Sequence, residues 1–373
     1  MGRVNKKKIL KITVVIVGTV VLLAALFFGW LTLTEYRPAE TESLEIQPGK
    51  TGLAAKRPAI GGSIKLMTWN VGYCAIGDNA DFFLDGGKQV NTADELSLRD
   101  NMLRITEDIK EEYPDVLFLQ EIDIDSSRSH GINETEYFLD ELSGDRSLCA
   151  SFAYNFKVKF IPYPLPPIGR VNSGLFTVTG FDVSDASRIS LPCPFKWPVR
   201  TANLKRCLLV NRVPVTDAAG NDTGRELVLV NLHLEAFDSG EGKIEQTKKL
   251  KTFMQNEAEK GNYVIAGGDF NQTFSNADAS AYPLLQGKWH PGSIDVGEFG
   301  EEFTCVSDNS FPTARSLDRP YVNADKESFQ YYLVDGYIVS ANIGIDSIAV
   351  LDKGFKNSDH NPVVMEVTLK EPS

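Results

Sequence analysis

One recurring pattern limits the folds open to this chain: short apolar runs keep ending in a polar residue. Ser63–Trp69 alternates polar and apolar side chains and runs into Asn70. Asp115–Leu119, apolar after its first residue, leads to Gln120 and Glu121. Leu227–Leu232 leads to His233, and Tyr263–Ala266 leads through Gly267 and Gly268 to Asp269 and Asn271. A run over 333–339 contains Asp335, and a last one over 363–369 follows Asp359 and His360. Alternation marks a half-buried strand, and a short continuous apolar run marks one buried on both faces. Further strands are expected over 148–160, 174–179 and 346–350. A hairpin, about 203–213 and 226–232, flanks the turn Asp217–Gly224.

Helical spacing falls between these runs. Leu98, Met102, Ile105 and Ile109 form one stripe, with Thr92 or Asp94 as cap and Pro114 as stop. Ile244, Thr247, Leu250 and Met254 form another. Ile161–Pro167 holds four prolines and reads as a loop, since proline cannot donate to a strand ladder. Hairpins mixed with helical connections predict an α/β fold of the α+β kind. The expected architecture is a four-layer α/β sandwich, two packed mixed β-sheets flanked by helices. Such sheets bring strand ends to one rim, where loops carry function.

The amino terminus sets a second constraint. Ile12 to Leu33 are 22 residues without a charge, enough to span a hydrocarbon core of about 30 Å as a helix. Arg3, Lys6, Lys7, Lys8 and Lys11 precede them; Glu35, Glu40, Glu42 and Glu45 follow. The excess of cations before the run places the amino terminus in the cytoplasm and the rest outside. A cleaved signal peptide has a shorter apolar core and a small-x-small site, which Phe27, Phe28 and Trp30 disrupt. The absence of a nearby cysteine excludes a lipoprotein anchor. The expected organisation is a basic cytoplasmic segment 1–11, a transmembrane anchor 12–33, a Pro/Gly-containing extended linker 34–62, and one catalytic domain over 63–370.

Charge narrows the partners. Residues 63–373 hold 29 basic and 46 acidic side chains, a net of −17. A domain of that sign has no general attraction to nucleic acid or anionic lipid. Lys248-Lys249-Lys251 and Lys205-Arg206 are its basic clusters. The five cysteines are scattered and lack Cys-x-x-Cys spacing, so neither a disulfide framework nor a zinc site is expected. Cys193 and Cys207 are the one pair a loop could join.

Taken in order, Thr68–Val71, Leu119–Glu121, Asn231–His233, Gly268–Asn271, Val334–Tyr337 and Ser358–Pro362 resemble the motifs of the endonuclease/exonuclease/phosphatase superfamily. This group includes deoxyribonucleases, apurinic-site endonucleases, neutral sphingomyelinases and inositol-polyphosphate phosphatases. The resemblance covers roughly residues 63–370 and, with the anchor, points to a membrane-anchored bacterial member. It implies Mg²⁺, with Mn²⁺ or Ca²⁺ as substitutes, held by Glu121, Asn70 and Asp359. It implies that His360 contacts the scissile phosphate while Asp335 orients it, and that Asp269 and Asn271 handle the attacking water. His233 matches a second phosphate-contacting histidine.

The chemistry agrees with these residue types. Hydrolysing a phosphate ester needs charge neutralisation, an oriented water and help for the leaving oxygen. Mg²⁺ takes one or two carboxylates plus water and substrate, so a sparse donor set suffices. Neighbours on an extended chain point opposite ways, which separates Asp359 from His360. Asp269 and His360 both remain candidates for the base, and one or two metals fit. The alternatives residue by residue are ordinary: a strand-end turn for Asn70, a solvated acid for Glu121, an Asx turn for Asp269-Phe270-Asn271. Asn172-Ser173-Gly174 is either a substrate-side motif or a turn before a strand. Arg200 and Arg206 are solvated or clamp a phosphate; His130 and His290 are expected at the surface.

Fold and chemistry do not choose a substrate. Membrane tethering, acidity and two apolar loops, Phe160–Ile168 and Leu191–Pro198, favour a phosphodiesterase or phosphatase acting on a phospholipid head group or related phosphate ester outside the membrane. The alternatives are an extracellular metal-dependent nuclease, which would carry a continuous basic groove, and a non-catalytic binding module on this fold. A monomer is expected.

Overall fold

In the computed structural model, residues 6–52, 56–144, 146–237 and 240–371 are described. The strand signals resolve into two seven-stranded sheets. The first runs, across the sheet, Thr41–Ser43, Asp185–Ser190, Cys207–Thr216, Asp222–His233, Tyr263–Asp269, Asp335–Ser340 and Phe303–Val306. The second runs Ile343–Val350, Val363–Leu369, Ser63–Asn70, Val116–Asp123, Gly169–Thr179, Cys149–Ile161 and Gln47–Pro48. Both are mixed: Tyr263–Asp269 lies parallel to Asp222–His233, and Ser63–Asn70 lies parallel to Val116–Asp123, while the other pairings are antiparallel.

Four α-helices accompany them among the described residues: α1 (Lys6–Leu33), α2 (Glu95–Glu112), α3 (Glu134–Ser143) and α4 (Glu241–Glu259). Asp94 caps α2 by accepting from the Ser97 amide, and Tyr113 ends it in a left-handed conformation just before Pro114. Leu98, Met102, Ile105 and Ile109 pack on the outer face of the second sheet, against Trp69, Leu117, Leu119 and Phe176. Leu250 and Met254 of α4 pack on the outer face of the first, against Val228, Val230, Val264 and Ile338. Between the sheets lie Leu66, Val116, Phe118, Leu229, Ile265, Tyr337 and Met365. The order helix, sheet, sheet, helix is the four-layer sandwich expected. At roughly 1.5–3 kcal/mol for each large apolar side chain buried, the inter-sheet layer is a principal stabilising term.

A polar tie crosses that layer near the site. Gln120 Nε2 donates to Asn231 Oδ1 (2.8 Å), and Asn231 Nδ2 donates to the carbonyls of Leu119 and Phe176 (both 3.1 Å). Buried amides this well satisfied fix one alignment of the two sheets, since any slide leaves them unpaired.

Three expectations need correction. Residues 34–62 do not form a free linker. Thr41–Ser43 adds an edge strand to the first sheet beside Ser187–Ile189, and Gln47–Pro48 adds one to the second beside Cys149–Ala150. Edge pairing asks only for backbone and tolerates Pro48. Ile244 is 54% exposed, because Lys243 rather than Ile244 continues the buried stripe of Thr247, Leu250 and Met254. Asn172-Ser173-Gly174 lies inside the strand Gly169–Thr179, not in a turn, and a Cβ on Gly174 would strike the Ala153 carbonyl of the next strand. The five cysteines are free thiols.

Candidate active site

Asp269, the last residue of its strand, stands in register with His233 on one side and Asp335 on the other. Residues in one row across a sheet share a face, so these three side chains are neighbours by construction. His233 Nε2 lies 3.4 Å from Asp269 Oδ2. Gly268 precedes them at φ 146°, with a Cβ there falling 2.0 Å from the Leu232 carbonyl, so only glycine lets the strands meet at this spacing. Asn271 closes the turn at φ 50°; its amide donates to Asp269 Oδ1 (2.8 Å) and its side chain to the Leu234 carbonyl (2.9 Å). The Asx turn therefore exists and holds Asp269 in place.

His360 enters this row from the loop before the last strand. Its Nδ1 is 2.9 Å from Asp335 Oδ2, and its Nε2 is 3.9 Å from Asp269 Oδ2. The loop is fastened to the second sheet. Ser358 Oγ donates to the Asn70 carbonyl (2.7 Å) and accepts from the His360 amide (3.1 Å), and the Trp69 indole donates to the His360 carbonyl (2.9 Å). Fully buried Asn361 bonds Pro312, Thr313 and Lys353. The Asp-His-Asn-Pro stretch thus splits its work between site and scaffold.

The second sheet contributes Asn70 and Glu121. Asn70 Nδ2 donates to Glu121 Oε1 (3.2 Å) and to Asp269 Oδ2 (3.1 Å), so one amide joins the two sheets' acids. Its Oδ1 accepts from the Gly72 amide at 3.1 Å. Glu121 sits at φ 57° inside a register shift between Leu119 and Ile122. This bulge re-aims its side chain out of strict alternation, a device common beside functional sites. Asp359 is buried, with Oδ1 3.1 Å from where a Gly72 Cβ would be. It therefore lies on the Gly72 side, while its neighbour His360 lies on the Asp335 side.

Electrostatics separate the groups. Burial, and then the Asp335 charge, push the Asp269 carboxyl up to about 7. For His360 burial opposes the charged form, but Asp335 foremost, with Asp359 and Asp269, overrides it and holds the imidazole at about 10. His233 is held well below the usual histidine range by burial, Arg206 and His360, which makes it neutral at pH 7. Asp359 is raised, by burial first and with Glu121 adding.

Half-buried Glu121 and buried Asp359, with the Asn70 amide on Glu121, are a hard-oxygen donor set whose mutual repulsion a divalent cation relieves. Glu121, Asp359 and Asn70 therefore fit Mg²⁺, Mn²⁺ or Ca²⁺. Donor atoms of Asp269, Asp335 and His360 also lie within 4.8 Å of one another and can hold an ion. There, however, Nδ1 of the histidine is already engaged by Asp335, so the Glu121 set is better suited.

The structure brings all eight sequence-singled residues, Asn70, Glu121, His233, Asp269, Asn271, Asp335, Asp359 and His360, to one rim. It removes Arg206 from the solvated and phosphate-clamping readings alike. Arg206 is buried, pairs with Glu235 at 3.3 Å and donates to the His233 carbonyl at 3.0 Å. Arg200 pairs with Glu35. His130 and His290 are exposed. Trp69, Asn231 and Gln120 support the site without having been singled out for it. The last two were detectable as amides placed within apolar runs.

None of the curated proteins matches this chain. Solved structures do. An endonuclease/exonuclease/phosphatase from Beutenbergia cavernae is 16% identical with a TM-score of 0.53, over 84% of this chain and 72% of that one. TDP2 of D. rerio, complexed with single strand DNA product, is 16% identical with a TM-score of 0.50, over 82% and 99%. A protein of the same family name from Leptotrichia buccalis is 15% identical with a TM-score of 0.50, over 82% and 99%. At these identities they establish shared fold. The family profile matches residues 67–315, two thirds of the sequence, and that match together with the fold places this chain in the Endonuclease/Exonuclease/phosphatase family.

Proposed function

We propose that this protein is a membrane-anchored, metal-dependent hydrolase of phosphate esters, acting on a phospholipid head group or a related small phosphate ester outside the cell. Family members act as metal-dependent phosphodiesterases, nucleases or phosphatases. The observation that carries the reading is the His360–Asp335 contact of 2.9 Å beside Asp269. It is an imidazolium and an acid of shifted pKa side by side, the arrangement acid–base chemistry needs.

The residues take these roles. His360, kept protonated by Asp335, donates from Nε2 to a non-bridging phosphate oxygen. Neutral His233 donates to a second. Asp269, poised near 7, accepts the proton of the attacking water, which Asn271 and the Asn70 amide help position. Glu121, Asp359 and Asn70 would hold a divalent ion, which when bound would neutralise phosphate charge and stabilise the leaving oxygen. The apolar helix α1 anchors the protein, its amino terminus cytoplasmic; it is long and apolar enough to cross a membrane and lies exposed along almost its whole length.

The test is a substrate screen of the full chain in detergent, with Mg²⁺ and with EDTA. The panel is DNA, sphingomyelin, phosphatidylinositol, sugar phosphates and bis(p-nitrophenyl) phosphate. Metal-dependent release from a lipid is expected. Cleavage of DNA with no lipid activity overturns the substrate, and His360→Ala or Glu121→Ala with full activity overturns the site.

A further inference from the structure

The geometry points to a catalytic rim held against the bilayer, with the Leu191–Pro198 loop and the Ile161–Ile168 hairpin tip seated at the level of the lipid head groups. This rests on α1 being a membrane anchor. The substrate would then enter from the plane of the membrane.

The argument starts at the foot of α1, which is bolted to the domain. The Trp197 indole donates to Thr32 Oγ1 at 3.0 Å, and its ring lies 6.0 Å from the Phe28 ring. Phe28 is five residues before the end of the helix, about 7.5 Å back along its axis. With α1 in hydrocarbon, a side chain that touches Phe28 is carried to membrane depth. Trp197 and Val199 are 58% and 57% exposed in the protein alone. An indole with one polar edge is the side chain favoured at that level.

The bolt is rigid. The Glu35 carboxylate, two residues past the helix, is 2% exposed and lies 2.9 Å from Arg37, 3.3 Å from Arg200 and 3.5 Å from Lys205. An acid buried among three cations holds its place, because separating it leaves unpaired charges. The outer cations, with exposed Lys196, sit where lipid phosphates would lie.

From this foot the chain reaches the site by two short routes. Lys205, paired with Glu35, is followed by Arg206, whose guanidinium donates to the His233 carbonyl. The Lys205 amide also donates to Asn155 (2.7 Å) of the strand Cys149–Ile161, and Tyr154 of that strand packs on Tyr36 at 6.2 Å. That strand continues to the hairpin tip, where Tyr163 and Leu165 are 70% and 88% exposed. Tyr163 meets Phe83 edge-on at 6.1 Å. Beside Phe83, the Phe82 amide donates to the Leu317 carbonyl (2.8 Å), and two residues before Leu317 the Arg315 amide donates to the Asp359 carbonyl (3.1 Å). Helix foot, apolar tips and acid cluster therefore lie along one side of the domain.

The bilayer that holds α1 is the one occupant continuous with these surfaces. The turn Asp217–Asn221 supplies the control, since it joins the ends of Cys207–Thr216 and Asp222–His233 farthest from His233.

The test measures depth, not hydrolysis, so it stands or falls apart from the substrate. The full chain is reconstituted in phosphatidylcholine vesicles on a Cys193→Ser background, the other four cysteines being buried. Single spin labels are placed through Val20→Cys, Leu165→Cys, Val199→Cys and Ala219→Cys, all exposed positions. Oxygen and nickel-chelate accessibility are then compared. The expected result is Val20 deep, Leu165 and Val199 shifted toward oxygen at an interfacial depth of about 5–10 Å, and Ala219 aqueous. Leu165 and Val199 as aqueous as Ala219 overturn the inference. If Val20 is then deep, the domain stands clear of the bilayer; if Val20 is aqueous, the anchor reading falls as well.

Discussion

Replacing Asp335 with asparagine keeps the shape of the side chain and removes its charge. His360 is lifted from 6.5 to about 10 although burial works against its protonated form. At 1.36 kcal/mol per unit, the site favours the imidazolium by roughly 4–5 kcal/mol. Asp335, at 2.9 Å, is the foremost favourable contributor, so in the variant burial prevails and His360 is neutral at pH 7. Turnover of bis(p-nitrophenyl) phosphate at saturating Mg²⁺ should fall by about 10²–10⁴ at pH 7.5. The deficit relative to the wild type at the same pH should shrink toward pH 5.5 as the histidine regains its proton, while protonation of Asp269 lowers both rates. The wild type should lose its histidine proton only at far higher pH.

Stability gives an independent check of sign. A histidine raised on folding contributes stability that is complete below 6.5 and lost as pH rises through about 10. Asp335→Asn should therefore be most destabilising near pH 6 and least near pH 10, measured by urea unfolding. A variant with the wild-type pH–rate profile, or with a loss under threefold, refutes the assignment.

Glu121→Gln and Asp359→Asn should each raise the Mg²⁺ concentration for half-maximal rate by at least about tenfold, while Asp335→Asn leaves it unchanged; Mg²⁺ titration of the rate separates them. Asp269→Asn should abolish turnover yet stabilise the metal-free protein at pH 7.5. Its carboxyl rises from 3.8 to about 7 on folding, so the folded state loses stability as pH climbs through that interval, and the amide escapes a penalty of roughly 4 kcal/mol. A lowered melting temperature in EDTA would contradict this. Gly268→Ala should cost more than about 3 kcal/mol or prevent accumulation, because its Cβ meets the Leu232 carbonyl at 2.0 Å. Gly220→Ala, also at positive φ but with open space around it, should cost about 1 kcal/mol by urea midpoint.

The strands that bear the site were legible because they are buried on both faces and so read as apolar runs with abrupt polar ends. What stayed hidden is short, local or distant. Thr41–Ser43 and Gln47–Pro48 are three- and two-residue edges held by backbone, with no apolar pattern to mark them. Arg206 has a buried partner, Glu235, 29 positions away, and spacing alone does not reveal it. The bulge at Glu121 also lies beyond pattern. Strict alternation sends Gln120 and Glu121 to opposite faces but does not say that Glu121 turns to φ 57° to meet Asn70.

Asp359 and His360 show that adjacency in sequence is not pairing. Side by side in the chain, they point opposite ways on an extended backbone. In space the histidine is paired 25 positions back, to Asp335, and that pairing follows from register. Asp269 opposite Asp335 puts both acids on one face, and fastening of Ser358 to Asn70 and of Trp69 to the His360 carbonyl brings the imidazole down onto them. A one-residue slip of Asp335–Ser340 would turn Asp335 to the other face and strip His360 of its partner. Tyr337 and Val339 between the sheets, and Ile338 beneath α4, oppose that slip because it would exchange their environments. The core thus sets the protonation of His360 through the register it enforces, which makes core packing part of the acid–base machinery.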